Sequence, residues 1–254
     1  MSLRIGCVKY LNARPLIHGW AGPVVFDHPA ILSRMLAEGE LDVAFVSSFE
    51  YLRNPIYAIA DRVAVASDGP VHSVFVTHQG AIEALEEIAL DPASQSSVNL
   101  LRCLLAENNL RPQLIENDRE LAVRPRCGQL MIGDQAIRFR ERHKSDYDFW
   151  DLGAAWQQAT GLPFVFALWL IRPETQQAAQ IAQLLRDQRD QNLARLDDLI
   201  ATQPDFTANF CASYFRGNLR FSFGEREQEG LFMFRSLCEK HGILPRKAAP
   251  LRLI

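Results

Sequence analysis

The side chains that could do chemistry fall in four short segments, each just past an expected strand. The first is Tyr10-Leu11-Asn12-Ala13-Arg14-Pro15-Leu16. The Asn12 amide can donate and accept, so it can orient a carboxylate or hydroxyl without carrying charge. An Asx turn holding its own loop accounts for Asn12 equally well. The second is Ser47-Ser48, where two hydroxyls precede a helical turn, either as caps or as anion ligands beside free N–H groups. No GxSxG elbow surrounds them, which excludes a hydrolase nucleophile there. The third, Asp91-Pro92-Ala93-Ser94-Gln95-Ser96-Ser97, leads from a strand into a long helix and is the best anion site in the chain. Capping explains one of Ser94, Ser96 and Ser97 readily and three less readily. No phosphate-loop pattern is present. The fourth is Ile132-Gly133-Asp134. Gly133 lets backbone approach a ligand closely. Asp134 suits a base or, more often for a lone aspartate, a loop fastener. Trp150, Trp156 and Trp169 read as core, with Trp169 nearest the site.

Several chemistries lack their residues. There is no dinucleotide GxGxxG, no metal triad, no Ser/His/Asp order and no close pair of carboxylates, so no cofactor and no metal is expected. His18, His28, His72, His78, His143 and His241 are scattered. On these residues alone a binding module is at least as well supported as an enzyme. The five cysteines (Cys7, Cys103, Cys127, Cys211, Cys238) form no CxxC pair and read as reduced, mostly buried thiols. A net charge of -3 gives no electrostatic case for nucleic acid. The basic run Arg138, Arg140, Arg142, His143, Lys144 reads as a solvated helix face. Met1-Ser2-Leu3-Arg4-Ile5 runs straight into a strand without a basic and apolar leader, so a cytoplasmic location is expected. The longest apolar run, 164–171, is strand-sized, so no membrane association is expected.

The elements that must position these segments follow from periodicity. Strands are expected over 4–9, 24–26, 41–46, 57–66, 71–77, 88–90, 114–115, 130–132 and 164–171, with 148–152 extended. Helices are expected over 29–38, 49–52, 80–87, 94–107, 153–160, 225–241 and, in one or two pieces, 174–202. The β-loop-α order predicts parallel sheets with helices on their faces. The chain is therefore read as an α/β protein of two lobes. The first is discontinuous, 1–78 and 164–254; the second, 79–163, is inserted. The ligand sits between them at the carboxyl ends of the strands.

These segments resemble one family. Residues 4–16, Leu41-Asp42-Val43-Ala44-Phe45-Val46-Ser47-Ser48, Leu90 through Val98, Ile132-Gly133-Asp134, residues 160–169 and Glu229-Gly230-Leu231 resemble, in order, the menaquinone-biosynthetic chorismate dehydratases. Threonine is commoner in that family where this chain has Ser96. The resemblance implies a type II periplasmic-binding-protein-like fold used as an enzyme, a lyase that dehydrates chorismate to 3-[(1-carboxyvinyl)oxy]benzoate in the futalosine route. It implies no cofactor, chorismate as a dianionic partner, and a monomer or homodimer. It implies Asn12 as the catalytic position. Tyr10, Ser47, Ser48, Ser94, Ser96, Ser97, Gly133, Asp134 and Trp169 are the expected substrate contacts. The sister enzyme, dihydroxynaphthoate synthase, shares the fold but usually starts with a Ser-Pro-Cys-Pro-Asn-type segment, unlike Lys9-Tyr10-Leu11-Asn12. A solute receptor or a ligand-sensing regulatory module are the alternatives without chemistry; the first lacks an export signal and the second a DNA-binding segment.

Overall fold

The computed structural model describes residues 3–116, 125–246 and 250–254. The chain opens with β1 (Ile5–Cys7), a 3-10 turn (Leu11–Ala13), α1 (Arg14–Ile17), β2 (Val24–Phe26), α2 (Pro29–Glu38), β3 (Val43–Ser47), α3 (Ser48–Arg53) and β4 (Ala58–Ser67). It crosses over into β5 (Val74–His78), β6 (Glu87–Leu90), α4 (Gln95–Glu107), β7 (Gln113–Glu116), β8 (Cys127–Ile132), α5 (Gly133–His143), β9 (Asp148–Asp151) and α6 (Leu152–Thr160). It returns through β10 (Phe164–Ile171) to α7 (Ala178–Ala194), α8 (Leu196–Ala201), α9 (Ala208–Ser213) and α10 (Glu225–Lys240).

Two five-stranded sheets result, in the orders β2-β1-β3-β10-β4 and β7-β6-β8-β5-β9. Each is mixed rather than parallel. β10 runs antiparallel to β3 and β4, and β5 antiparallel to β8 and β9. The reason is common to both: each of these strands begins where the chain arrives from the opposite lobe. Because β5 pairs only within the second sheet, the first crossover lies ahead of it, at Asp68-Gly69-Pro70, and not after residue 78 as the sequence reading placed it.

Local sequence accounts for the elements that carry the site. Pro29 opens α2 and Gly39, in left-handed conformation, closes it. Ser94 caps α4 by accepting from the Ser97 N–H. Asp151 caps α6, accepting from Gly153 and Ala154 N–H, and also takes the Val71 and His72 N–H groups of the crossover at 3.0 and 2.8 Å. One carboxylate thus ties the crossover to the helix that leads to the return crossover. α10 covers that return crossover. A Cβ on Gly230 would lie 2.0 Å from the Pro163 carbonyl oxygen, so only glycine permits the packing. Phe164, Trp156 and Phe234 interlock beside it, with ring centroids 4.9 to 6.1 Å apart.

One helix expectation needs correction, one is resolved and one segment is new. Residues 80–87 are not a helix; they hold one 3-10 turn, Ile82–Ala84, before β6 begins at Glu87. The region 174–202 divides into α7 and α8 at Arg195. α9 and the π-turn after it, Tyr214–Asn218, were not anticipated. Cys7, Cys103, Cys211 and Cys238 are buried and Cys127 partly so. Among the described residues no helix is long and apolar enough to cross a membrane. The expectation for Met1 and Ser2 lies outside the described residues.

Candidate active site

A cleft opens between the two sheets at the ends of β1, β3 and β8 and the start of α4. It is a slot with ≈530 Å³ of atom-free space, its open mouth included. Its walls are apolar (Val8, Phe45, Val65, Val74, Ile132, Phe166), and its polar groups are Tyr10, Asn12, Ser47, Ser73, Ser94 and Ser97. Among the described residues, no carboxylate, imidazole, amine or guanidinium lines it.

Six of the expected residues converge on the slot: Tyr10, Asn12, Ser47, Ser94, Ser97 and Gly133. The 3-10 turn Leu11–Ala13, closed by the Ala13 N–H on the Tyr10 carbonyl, presents Asn12. The Asn12 Oδ1 atom is buried and has no hydrogen-bond partner. A buried acceptor left unpaired costs on the order of 1–3 kcal/mol. A donor on a ligand in the slot would remove that cost. Asn12 therefore does not serve as an Asx-turn fastener.

Ser48, Ser96, Asp134 and Trp169 were expected as contacts but do not line the slot. They lie behind the residues that do. Trp169 is fully buried against Phe45, ring centroids 5.2 Å apart, behind the wall. Asp134 accepts the Leu11 N–H at 2.8 Å and so fixes the turn that carries Asn12. Beside it, Gly133 adopts φ +64, and a Cβ there would meet the Tyr10 ring at 3.1 Å. The tyrosine of one lobe rests flat on the glycine of the other.

Ser96 and Ser48 belong to a second clasp between the lobes, and the protons in it can be assigned. Ser48 has one proton and donates it to the Val165 carbonyl at 2.6 Å. The 2.9 Å contact between Ser48 and Ser96 is then donated by Ser96. The 2.7 Å contact between Ser96 and Ser47 is in turn donated by Ser47. The Phe49 N–H also reaches Ser96 Oγ, and the Ser96 N–H reaches Ser47 Oγ. All three hydroxyl protons are committed. Ser47 lines the slot only as an acceptor, and the Ser96 N–H is not free for an anion.

Sequence reading missed Ser73. It lines the slot, is wholly buried, and accepts from the Tyr214 hydroxyl at 2.7 Å. Its carbonyl takes the Gly133 N–H at 2.9 Å. The turn signal Asp68-Gly69-Pro70 could have marked the crossover that delivers it.

Burial sets the electrostatics. Desolvation, with Asp91 and Asp134 adding to it, pushes the Tyr10 phenol up to about 12. Burial raises Asp134 above the ordinary aspartate range, opposed by the Leu11 N–H, and raises Asp91 in the same way. Tyr10 therefore stays protonated at neutral pH and offers a hydroxyl, which lies 3.4 Å from His28 Nδ1. Among the described residues no group of three or more His, Cys, Asp or Glu side chains is placed to hold a metal ion.

This geometry has relatives. Chorismate dehydratase of Thermus thermophilus is 30% identical over 253 residues, covering 91% of this chain and 93% of its own. A crystal structure from Archaeoglobus fulgidus superposes with a TM-score of 0.69 at 17% identity, covering 95% of this chain and 98% of that one. A Candida albicans gene product described as having the generic periplasmic binding protein fold gives a TM-score of 0.61 at 12% identity, with 98% and 92% covered. The fold is that two-lobed architecture with the ligand cleft between the lobes. The sequence profile of the menaquinone biosynthesis family matches residues 3–240, and the chain belongs to that family.

Proposed function

We propose that this chain dehydrates chorismate to 3-[(1-carboxyvinyl)oxy]benzoate, a carbon–oxygen lyase reaction in the cytoplasm that serves menaquinone formation by the futalosine route. The observation that carries the reading is the buried, unpartnered Oδ1 of Asn12, a residue that lines a slot with no charged side chain among its described lining residues, in a chain of this family. A flat ring fits an apolar slot. The hydroxyl on that ring is the donor that Asn12 lacks.

The reaction removes a proton from the ring carbon that bears the ether and hydroxide from its neighbour. Together they leave as water and the ring becomes aromatic. Much of the driving force therefore lies in the substrate. The protein has to orient the ring and favour the charge that develops. Asn12 holds the reacting hydroxyl. Ser94 and Ser97, at the start of α4, hold one carboxylate with the help of the helix dipole. With no base among the lining side chains and Tyr10 held protonated, the substrate's own enolpyruvyl carboxylate takes the proton. The lobes, held together on one side by the serine clasp at Ser96, close over the substrate through the clasp at Asp134 and hold water out. Incubation of the purified protein with chorismate, followed by ultraviolet spectroscopy and product analysis, tests this. Formation of the aromatic ether supports it; tight binding without conversion would make the protein a receptor.

A further inference from the structure

We propose that Ser73 anchors a second ligand carboxylate and that Tyr214, outside the slot, is the positioning residue that fits it for this; the proposal deepens the chorismate reading and rests on it. Chorismate carries two carboxylates, and among the described residues no cation lines the slot. Each carboxylate must be held by uncommitted hydroxyl or N–H protons. Ser47 has none, because its proton goes to Ser96. Ser94 and Ser97 bond each other at 3.0 Å, so the pair has one proton left. Ser73 differs: it accepts from Tyr214 and keeps its own proton. A hydroxyl that accepts one hydrogen bond is polarised into a better donor for the next, most of all at a site shielded from water.

Tyr214 is held for this by its packing. It is 1% exposed, and its ring stacks on Phe210 with centroids 5.6 Å apart and planes 18° apart. It opens the π-turn Tyr214–Asn218, a local widening of the helix of the kind that recurs at functional sites. Burial raises its pKa, so the phenol keeps the proton it donates. The bond joins the return segment of the first lobe to the crossover that starts the second. The anchor is therefore aligned in the closed protein.

The test is a double-mutant cycle on Ser73→Ala and Tyr214→Phe, read by steady-state kinetics with chorismate and by calorimetric binding of chorismate. Losing a hydrogen bond to a charged group raises KM and Kd about 10- to 100-fold in Ser73→Ala, with kcat changed far less. Tyr214→Phe raises them about 3- to 10-fold, and adds nothing in the Ser73→Ala background. Ser73→Thr, which keeps a hydroxyl, retains most of the affinity and guards against reading a folding defect in Ser73→Ala as a lost anchor, and equal thermal stability is the matching control for Tyr214→Phe. Effects that multiply in the double variant, or an unchanged Kd in Ser73→Ala, would overturn the proposal. A wild-type protein that binds chorismate through this cycle without converting it would sink the dehydratase reading and leave the anchor standing. A wild-type protein that does not bind chorismate would remove both.

Discussion

Two clasps join the lobes across the same slot, and they are made of different chemistry. The serine clasp, Ser47–Ser96–Ser48–Val165, is neutral, fully buried and ends on the crossover strand β10. The clasp at the mouth, Leu11 to Asp134 with Tyr10 on Gly133, is only partly buried and contains an ionisable group whose pKa burial has raised. A neutral clasp with every proton committed has one arrangement and responds to nothing in solution. A clasp with a desolvated carboxylate holds the turn that presents Asn12 and changes with pH. The first reads as the fixed side of the cleft and the second as the side that opens.

The comparison breaks most severely at Ser96. Ser96→Ala strands the Phe49 N–H and the Ser47 hydroxyl without an acceptor and takes a donor from Ser48. It should cost about 2–4 kcal/mol, a shift in denaturant midpoint that does not change between pH 5 and pH 8. A loss below about 0.5 kcal/mol would mean the serine clasp is not formed in solution.

Gly133→Ala comes next. It forces an alanine into left-handed backbone, at about 1–2 kcal/mol, and drives its Cβ towards the Tyr10 ring 3.1 Å away. Chorismate affinity should fall with stability, because Tyr10 lines the slot. Stability lost with affinity intact would separate Tyr10 from the ligand.

Asp134→Asn should have the smallest effect at neutral pH, since the amide oxygen still accepts from Leu11. Its signature is the pH dependence. The folded pKa of Asp134 is raised, so in the wild type its stabilising contribution is full below the ordinary aspartate value near 4 and is lost as pH rises through the folded pKa. Subtracting the variant's stability from the wild type's cancels Asp91 and should leave a difference that falls with rising pH over that window. A flat difference would mean the carboxylate is not desolvated, and the contrast between the clasps would go with it.

The sequence foretold where the cleft lies, because strand ends and helix starts are local. Tyr10, Asn12, Ser47, Ser94, Ser97 and Gly133 all sit at such ends and all line the slot. Which side each serine faces was not legible. Ser96 and Ser97 are neighbours on one helical turn, roughly 100° apart, so one points at the other lobe and one into the slot. Trp169 lies close to the site in sequence logic, but packing places it behind Phe45. Ser73 and Tyr214 are 141 residues apart and meet only through the crossover, which no periodicity encodes. The crossover itself was misplaced by one strand, because the apolar run of β5 suits either sheet. Only its hydrogen-bonding partners decide.

The central claim is that Asn12 faces a chorismate hydroxyl and orients it for loss. Conversion of chorismate by wild type and Asn12→Ala, at equal thermal stability, tests it most directly. The account predicts that the wild type forms 3-[(1-carboxyvinyl)oxy]benzoate and that kcat falls about 10²- to 10³-fold in the variant. Near-normal turnover by Asn12→Ala would contradict it.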